Sequence, residues 1–188
     1  IQEGQVAGVM GPNGSGKTTL FNLLSGLFSP SAGQIRFGGE DITRVAPHKR
    51  VEMGMARTFQ LVSVFDSLTA WENLVLSTTR FREGQRTVGN LFFAPARKKI
   101  ILEACMEALE TVGLEEQAEK PTSELSYGEK RMLEIGIALS LRPRLLLLDE
   151  PLAGLSDHEI SEVLGLIDLV KKKFTLVIIE HKISKIMD

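Results

Sequence analysis

The chain has 188 residues, of which 43% are hydrophobic, a net charge of −2 at neutral pH and a single cysteine, Cys105. This length suits one α/β domain with a sizeable core, and the interspersed charges do not predict a basic surface for nucleic acid. One cysteine excludes an internal disulfide framework and fits a reducing compartment. No apolar run reaches the ~18 residues needed to span a bilayer, so a membrane role would come through a partner.

The first predicted strand covers residues 6–10 and leads into a glycine-rich loop, residues 11–18, that reads G-P-N-G-S-G-K-T. This octet matches the whole G-x-x-x-x-G-K-[ST] phosphate-binding loop. An amphipathic helix is predicted over residues 17–27, directly after the loop. A strand, a glycine loop and a helix N-terminus are the arrangement that phosphate binding requires. The sequence therefore predicts a nucleoside triphosphate site.

Each part of this loop has a predicted role. Glycine allows backbone N–H groups to surround an anion without a Cβ in the way. Lys17 adds a cation that can reach the β- and γ-phosphate oxygens, and Thr18 offers a hydroxyl to Mg²⁺. The predicted nucleotide contacts are Gly11, Pro12, Asn13, Gly14, Ser15, Gly16, Lys17, Thr18 and Thr19.

The middle of the chain is predicted to be mainly helical. A short strand over residues 34–37, a short helix over 47–53 and a strand edge over 56–60 precede it. Capping boxes, in which a Ser or Thr hydroxyl and a Glu three residues later satisfy free N–H groups, then mark helix starts. They are Thr69/Glu72, Ser126/Glu129 and Ser156/Glu159.

Between the first two capping boxes, a further helix is predicted to begin at Pro95 and to end at Gly113. We therefore expect a purely helical block, about residues 69–142, inside a sequence that alternates strand and helix at both ends. Because the chain begins at Ile1 and stops at Asp188, a few residues into another predicted helix, we expect it to be most of a domain rather than all of one.

Two carboxylates follow a continuous apolar strand, which is predicted over residues 145–148 and is typical of a strand buried on both faces. Strand ends beside a phosphate loop are where α/β sheets place their ligands. Asp149 can hold Mg²⁺ opposite Thr18, and Glu150 can polarise a water that attacks the γ-phosphate. A second strand of this kind is predicted over residues 175–179.

A second candidate anion site lies at residues 125–129, which read L-S-Y-G-E and open a helix that runs to about residue 141. Ser126 supplies a hydroxyl, Gly128 supplies flexibility, and the helix start supplies N–H groups. By itself this segment is only a capped helix.

Taken in order, these motifs resemble those of the nucleotide-binding subunits of ATP-binding-cassette (ABC) proteins. The family signature is typically L-S-G-G-Q, and here it stands as L-S-Y-G-E. Gln60, at the end of R-T-F-Q, looks like the Q-loop glutamine, and residues 153–156, A-G-L-S, occupy the D-loop. His181 looks like the switch histidine. Ser156 departs from the family pattern, because the D-loop usually has Asp at that position.

The resemblance implies a P-loop α/β fold with a mostly parallel sheet and an inserted helical subdomain, and one ABC nucleotide-binding domain over residues 1–188. It also implies that ATP and Mg²⁺ are the cofactors, and that Ser126 and Gly128 act across an interface on ATP bound to a second subunit. The residues implied to take part in catalysis are Lys17, Gln60, Glu150 and His181, and those implied to organise magnesium are Thr18, Gln60 and Asp149.

Within this family, the A-R-T-F-Q, L-S-Y-G and I-E-H segments resemble ATPases of branched-chain (hydrophobic) amino-acid importers. That resemblance implies a homodimer or a related heterodimer, membrane permease subunits, indirectly an extracytoplasmic solute-binding protein, and no nucleic acid. The chain would lie at the cytoplasmic face of the cell membrane, held there through the permease. Alternatives are an ABC ATPase for another cargo, such as a urea or amide importer or a lipid exporter, and a non-transport ABC ATPase.

Overall fold

The computed structural model describes residues 1–59, 62–83 and 94–180. The strands are β1 (Val6–Val9), β2 (Arg36–Phe37), β3 (Glu40–Asp41), β4 (Met55–Arg57), β5 (Leu145–Asp149) and β6 (Thr175–Ile179). The helices are α1 (Lys17–Ser25), α2 (Pro47–Glu52), α3 (Ala70–Glu83), α4 (Ala94–Val112), α5 (Tyr127–Ser140) and α6 (Asp157–Val170).

The main sheet has four strands in the order β1-β6-β5-β4, and every pairing in it is parallel. Val6 lies opposite Leu176, and Asp149 lies opposite Ile179. The C-terminal ends of β1 and β5 therefore point to the same edge of the sheet. This confirms the predicted mostly parallel sheet, and it brings the phosphate loop and Asp149 to that common edge.

Side chains of the two central strands alternate between two cores. Leu146 and Leu148 of β5 belong to the larger core, which also contains residues of α3, α4, α5 and α6. Leu145 and Leu147 face the smaller core, where Phe21 of α1 packs. All residues of β5 and β6 are buried, as the continuous apolar runs predicted. The phosphate-loop helix and the helical block thus lie on opposite faces of the sheet.

Most predicted elements are present, with shorter bounds. α1 ends at Ser25 rather than near residue 27, because Gly26 takes a left-handed φ of 81° and its N–H donates to Leu23 O. The strand predicted over 34–37 is only two residues long, and it pairs antiparallel with β3, which the sequence did not predict. The strand edge predicted over 56–60 is β4, which begins one residue earlier and ends at Arg57.

The predicted helical block corresponds to α3, α4 and α5, which follow β4 and precede β5 along the chain. α4 ends where it was expected to, before Gly113, whose φ is 69°. Each predicted capping box is formed; at the first, Glu72 N–H donates to Thr69 Oγ1 and Thr69 N–H donates to Glu72 Oε2. The division of residues 1–188 into one domain with a subdomain near 69–142 stays a prediction. None of the helices that the structure describes combines the length and the hydrophobicity that crossing a bilayer requires.

The central strand should account for a large share of the stability. Leu147 is fully buried, and we expect Leu147→Ala to lower the free energy of unfolding by about 2–5 kcal/mol, because it leaves a cavity that the neighbours fill only in part. The same substitution at Leu169 of α6, which is 48% exposed, is the matched control and should have little effect. Urea denaturation measures both, and equal losses would contradict the assignment of β5 to the core.

Candidate nucleotide-binding site

The phosphate loop connects β1 to α1 and is shaped by glycines in left-handed backbone conformations. Gly14 and Gly16 have φ values of 78° and 93°, which an L-residue adopts only at a cost. Gly16 is the N-cap of α1 and gives the helix no side-chain cap. The first N–H groups of α1 therefore have no capping oxygen from the chain at this position, which is what an anion site at a helix N-terminus needs.

Lys17 is folded back into this loop. Its Nζ donates to Gly11 O at 2.8 Å and to Pro12 O at 3.1 Å, and only 8% of the residue is exposed. These carbonyls are neutral acceptors, so a phosphate oxygen that reaches the loop offers the ammonium group a charged and stronger partner. The other predicted contacts of the loop, including Thr18 and Thr19, are mainly exposed.

Asp149 ends β5 and is 1% exposed. Its Oδ2 accepts a hydrogen bond from Arg57 Nη2 at 2.8 Å, and its backbone N–H donates to Thr58 Oγ1 at 3.3 Å. Its Oδ1 is buried and has no hydrogen-bond partner in the described part of the chain. A buried carboxylate oxygen without a donor is costly unless a cation or water completes it, so the site fits a hydrated Mg²⁺.

Glu150 follows in a left-handed conformation with φ of 49°, which is uncommon for a residue other than glycine. Its backbone N–H donates to Ile179 O at 2.9 Å and so continues the parallel pairing beyond the strand. Such backbone conformations persist where surrounding contacts hold them, and they concentrate at functional sites. The two carboxylates predicted from the sequence thus sit at the end of the central strand in different backbone conformations.

Arg57 joins the two halves of this site, and the sequence analysis did not assign it a role. Its Nη1 donates to Asn22 Oδ1 at 2.7 Å and to Ser25 Oγ at 3.0 Å, both on α1, while Nη2 bonds Asp149. The phosphate-loop helix and the acidic end of β5 are therefore connected through one guanidinium. The arginine of R-T-F-Q is visible in the sequence, but the neighbouring residues do not indicate which side chains it contacts.

The second candidate anion site is the N-terminus of α5. Ser126 Oγ accepts from Glu129 N–H at 3.1 Å, and Glu129 Oε2 accepts from Ser126 N–H at 2.7 Å, so the predicted capping box is formed. Gly128 N–H donates to Glu159 Oε1 at 3.0 Å, and a Cβ at Gly128 would clash with that oxygen. These bonds lead to α5 and α6, not to the phosphate loop.

A buried ion pair on α5 grips the backbone of Phe59, the last described residue before Gln60. Phe59 N–H donates to Glu134 Oε1 at 2.9 Å, and Phe59 O accepts from Arg131 Nη1 at 2.9 Å. The same Nη1 donates to Glu134 Oε2 at 2.8 Å. Burial raises the pKa of Glu134, although the Phe59 N–H and Arg131 oppose this change. These contacts with Phe59 were not predicted from the sequence, where the only sign of them is a pair of charges on the apolar side of a helix.

Two predicted site residues, Gln60 and His181, lie outside the described residues. Within residues 1–59, 62–83 and 94–180, no group of three or more His, Cys, Asp or Glu side chains is arranged to hold a metal ion. A magnesium ion that keeps several waters needs only one or two carboxylates, a hydroxyl and the substrate phosphates. The donors predicted for it, Thr18 and Asp149, are of the kind that such a site uses.

Comparison with known proteins identifies the family. Residues 1–153 match the ABC transporter family. The high-affinity branched-chain amino acid transport ATP-binding protein BraF of Pseudomonas aeruginosa is 40% identical over 192 residues, covering 100% of this chain and 75% of that protein. LivG of Escherichia coli K12, which is described by the same function, is 34% identical over 189 residues, and the match covers 97% of this chain and 73% of that protein.

Solved structures agree with these sequence matches. A nucleotide-free ATP-binding cassette from an ABC transporter superposes with a TM-score of 0.82 at 30% identity, over 100% of this chain and 74% of that one. The ADP conformation of an ATP-binding cassette gives 0.79 at 32% identity, over 95% and 71%. The chain therefore belongs to the ABC transporter family, and it is an ATP-hydrolysing subunit of such a transporter.

Proposed function

We propose that this chain binds ATP with Mg²⁺ at the edge formed by the phosphate loop and Asp149, and that hydrolysis there drives import of branched-chain or other hydrophobic amino acids. The catalytic part of this proposal rests on one observation: hydrogen bonds connect α1, the helix after the phosphate loop, to Asp149 at one edge of the sheet. The cargo assignment is supported by the described transport functions of BraF and LivG, and by the resemblance of the A-R-T-F-Q, L-S-Y-G and I-E-H segments to those of branched-chain amino-acid importer ATPases.

In this proposal the nucleotide phosphates lie against residues 11–19. The N–H groups of the loop and of the first turn of α1 surround them, and Lys17 exchanges its two carbonyl acceptors for phosphate oxygens. Thr18 and Asp149 hold Mg²⁺, which neutralises charge on the phosphates, and Gln60 is proposed as a further ligand. His181 is proposed to contact the γ-phosphate.

Glu150 is the proposed general base. It follows the metal-holding residue directly, and its left-handed backbone sets its side chain apart from the course of β5. A carboxylate at this position can orient a water for in-line attack and accept its proton. The backbone bond to Ile179 fixes the residue to β6, the strand that leads towards His181.

The proposed working form is a dimer, of two copies or of this chain with a related subunit. Ser126 and Gly128 lie at the N-terminus of α5, whose hydrogen bonds do not reach the phosphate loop of the same chain. Their proposed role is to contact the γ-phosphate of ATP bound to the other subunit. A two-fold arrangement would then place two nucleotides between the subunits.

The proposed membrane partner is a permease, which holds the chain at the cytoplasmic face and receives substrate from an extracytoplasmic binding protein. Phe65 supports a docking surface near the Q-loop, because it is 57% exposed while its backbone is held firmly. Asn73 Nδ2 and Thr122 Oγ1 both donate to Phe65 O, and Phe65 N–H donates to Asn73 Oδ1. An exposed aromatic side chain on a rigid support is typical of a protein interface. No nucleic-acid partner is proposed.

The first test concerns Glu150. We expect Glu150→Gln to keep ATP affinity and to lower hydrolysis by at least ~100-fold, because the amide cannot accept the proton of the attacking water. The ATP-bound dimer should accumulate. Steady-state ATPase assays and size-exclusion chromatography measure these effects, and Glu162→Gln, at an exposed position of α6, is the control. Near-normal turnover in Glu150→Gln would remove Glu150 from the proposed role.

The second test separates the two anion sites. We expect Lys17→Ala to abolish ATP binding by the isolated subunit, because the phosphate cation is lost. Ser126→Arg should leave ATP binding by the monomer intact but block dimer formation and hydrolysis, while Ser161→Arg, at an exposed position of α6, should behave as wild type. Loss of nucleotide binding by monomeric Ser126→Arg would contradict an action across the interface. Calorimetry and analytical ultracentrifugation provide the measurements.

The third test concerns the permease. We expect Phe65→Glu to abolish transport in vesicles that contain the whole transporter while sparing basal ATPase, because a charge opposes burial against an apolar partner. Met106→Glu, which changes a residue 50% exposed on α4, is the control. In a separate variant, Phe65→Cys, the introduced thiol should form a crosslink to the permease. Undiminished transport in Phe65→Glu together with no crosslink from Phe65→Cys would defeat the docking proposal.

A further inference from the structure

The side chain of Arg57 is largely buried, and it contacts both sides of the candidate site. Its side chain is 7% exposed and that of Asp149 is 2% exposed. One end of the guanidinium bonds Asn22 and Ser25 of α1, and the other end bonds Asp149 Oδ2. Removing these charges from water costs free energy, which the ion pair and the hydrogen bonds have to offset.

The two carboxylate oxygens of Asp149 have different surroundings, because the guanidinium of Arg57 bonds only one of them. Oδ2 is held at 2.8 Å by Nη2, whereas Oδ1 is buried without a partner among the described residues. A planar guanidinium with fixed N–H directions sets the orientation of a carboxylate more sharply than an ammonium group does. The rings of Phe21 and Phe59 lie 5.5 Å and 5.1 Å from the guanidinium carbon and restrict the plane further.

The same group also fixes α1. Thr18 lies in the first turn of this helix, and Asn22 lies one turn further along the same face. By bonding Asn22 and Asp149 together, Arg57 sets the position of the hydroxyl of Thr18 relative to the carboxylate at the end of β5. These are two of the three protein groups proposed to hold magnesium, the third being Gln60.

We propose that Arg57 is a positioning residue for the magnesium site: it holds Oδ2 of Asp149, leaves Oδ1 for the metal or its waters, and sets the spacing between Asp149 and Thr18. This inference rests on the proposed function, in which Asp149 and Thr18 hold magnesium. Removing a residue that hydrogen-bonds a metal ligand typically changes the affinity for the metal by about 10–100-fold.

Arg50 offers a matched control for a merely structural role. It is 1% exposed and donates to Leu23 O and Leu24 O of the same helix, each at 2.7 Å. Its other bonds go to Val45 O and Thr43 O, so its hydrogen bonds support α1 without involving Asp149. Both arginines are buried and brace α1, but only Arg57 bonds the proposed metal ligand.

The experiment measures the affinity of the full chain for a non-hydrolysable ATP analogue by calorimetry, once with Mg²⁺ and once with EDTA. The readout is the ratio of the affinity in Mg²⁺ to the affinity in EDTA. This ratio measures how much the metal contributes to nucleotide binding, separately from the contacts of the phosphate loop. We expect Arg57→Met to lower this ratio by ~10-fold or more and to leave the EDTA affinity unchanged. Arg57→Lys keeps the charge and should restore part of the ratio. Arg50→Met should lower the thermal midpoint but not the ratio.

The variant Asp149→Asn separates failure of this inference from failure of the proposed function. If wild type shows no Mg²⁺ effect, or Asp149→Asn keeps it, the proposed metal site is wrong. If Asp149→Asn loses the effect while Arg57→Met keeps it, the positioning role alone is overturned. The positioning role is also overturned if Arg57→Met lowers the affinity for the ATP analogue equally in Mg²⁺ and in EDTA. It is overturned as well if both Arg57 variants fail to fold while Arg50→Met folds, because Arg57 would then be a general structural residue. The Arg57→Met/Asp149→Asn double variant should lose no more of the ratio than Asp149→Asn alone.

Discussion

Parallel pairing of β1, β6 and β5 is the constraint on which the site depends. Parallel strands that share one register end at one edge, so the loop after β1 and the carboxylates after β5 must lie there together. The register continues one residue further, where Glu150 N–H donates to Ile179 O. A slip of one residue would turn Asp149 to the opposite face and break its bond to Arg57.

Two buried arginines connect this edge to the rest of the molecule in different ways. Arg57 ties Asp149 to α1, and Arg131 with Glu134 ties the backbone of Phe59 to α5. Arg57 and Phe59 are two residues apart, so the segment that leads to Gln60 is anchored on both faces of the sheet. A change at the proposed metal site and a movement of α5 would therefore both act on the segment that leads to Gln60, the residue expected to be the Q-loop glutamine.

Local features of the sequence predicted most of this arrangement, and long-range partners account for the rest. The phosphate loop, the buried strand before Asp149 and the capping boxes each depend on residues within one turn or one strand. By contrast, Arg57 and Asp149 are 92 residues apart, and Phe59 and Glu134 are 75 apart. A single sequence shows that these charges exist, but only the sheet order shows which of them meet. β3 was missed for a related reason, since two residues carry no detectable period.

The two helix N-termini proposed to bind phosphate differ in what already occupies them. At α1, Gly16 provides no side-chain cap, so an arriving anion has only Lys17 and the loop backbone to rearrange. At α5, Gly128 N–H donates to Glu159. Hydrogen bonds from Ser156 lower the pKa of Glu159, so its carboxylate is charged at neutral pH and is itself an anion at this site. A phosphate at α5 must compete with that carboxylate, whereas one at α1 has no such competitor. An anion at the phosphate loop therefore displaces no carboxylate of the protein, whereas an anion at the N-terminus of α5 has to replace the Glu159 carboxylate.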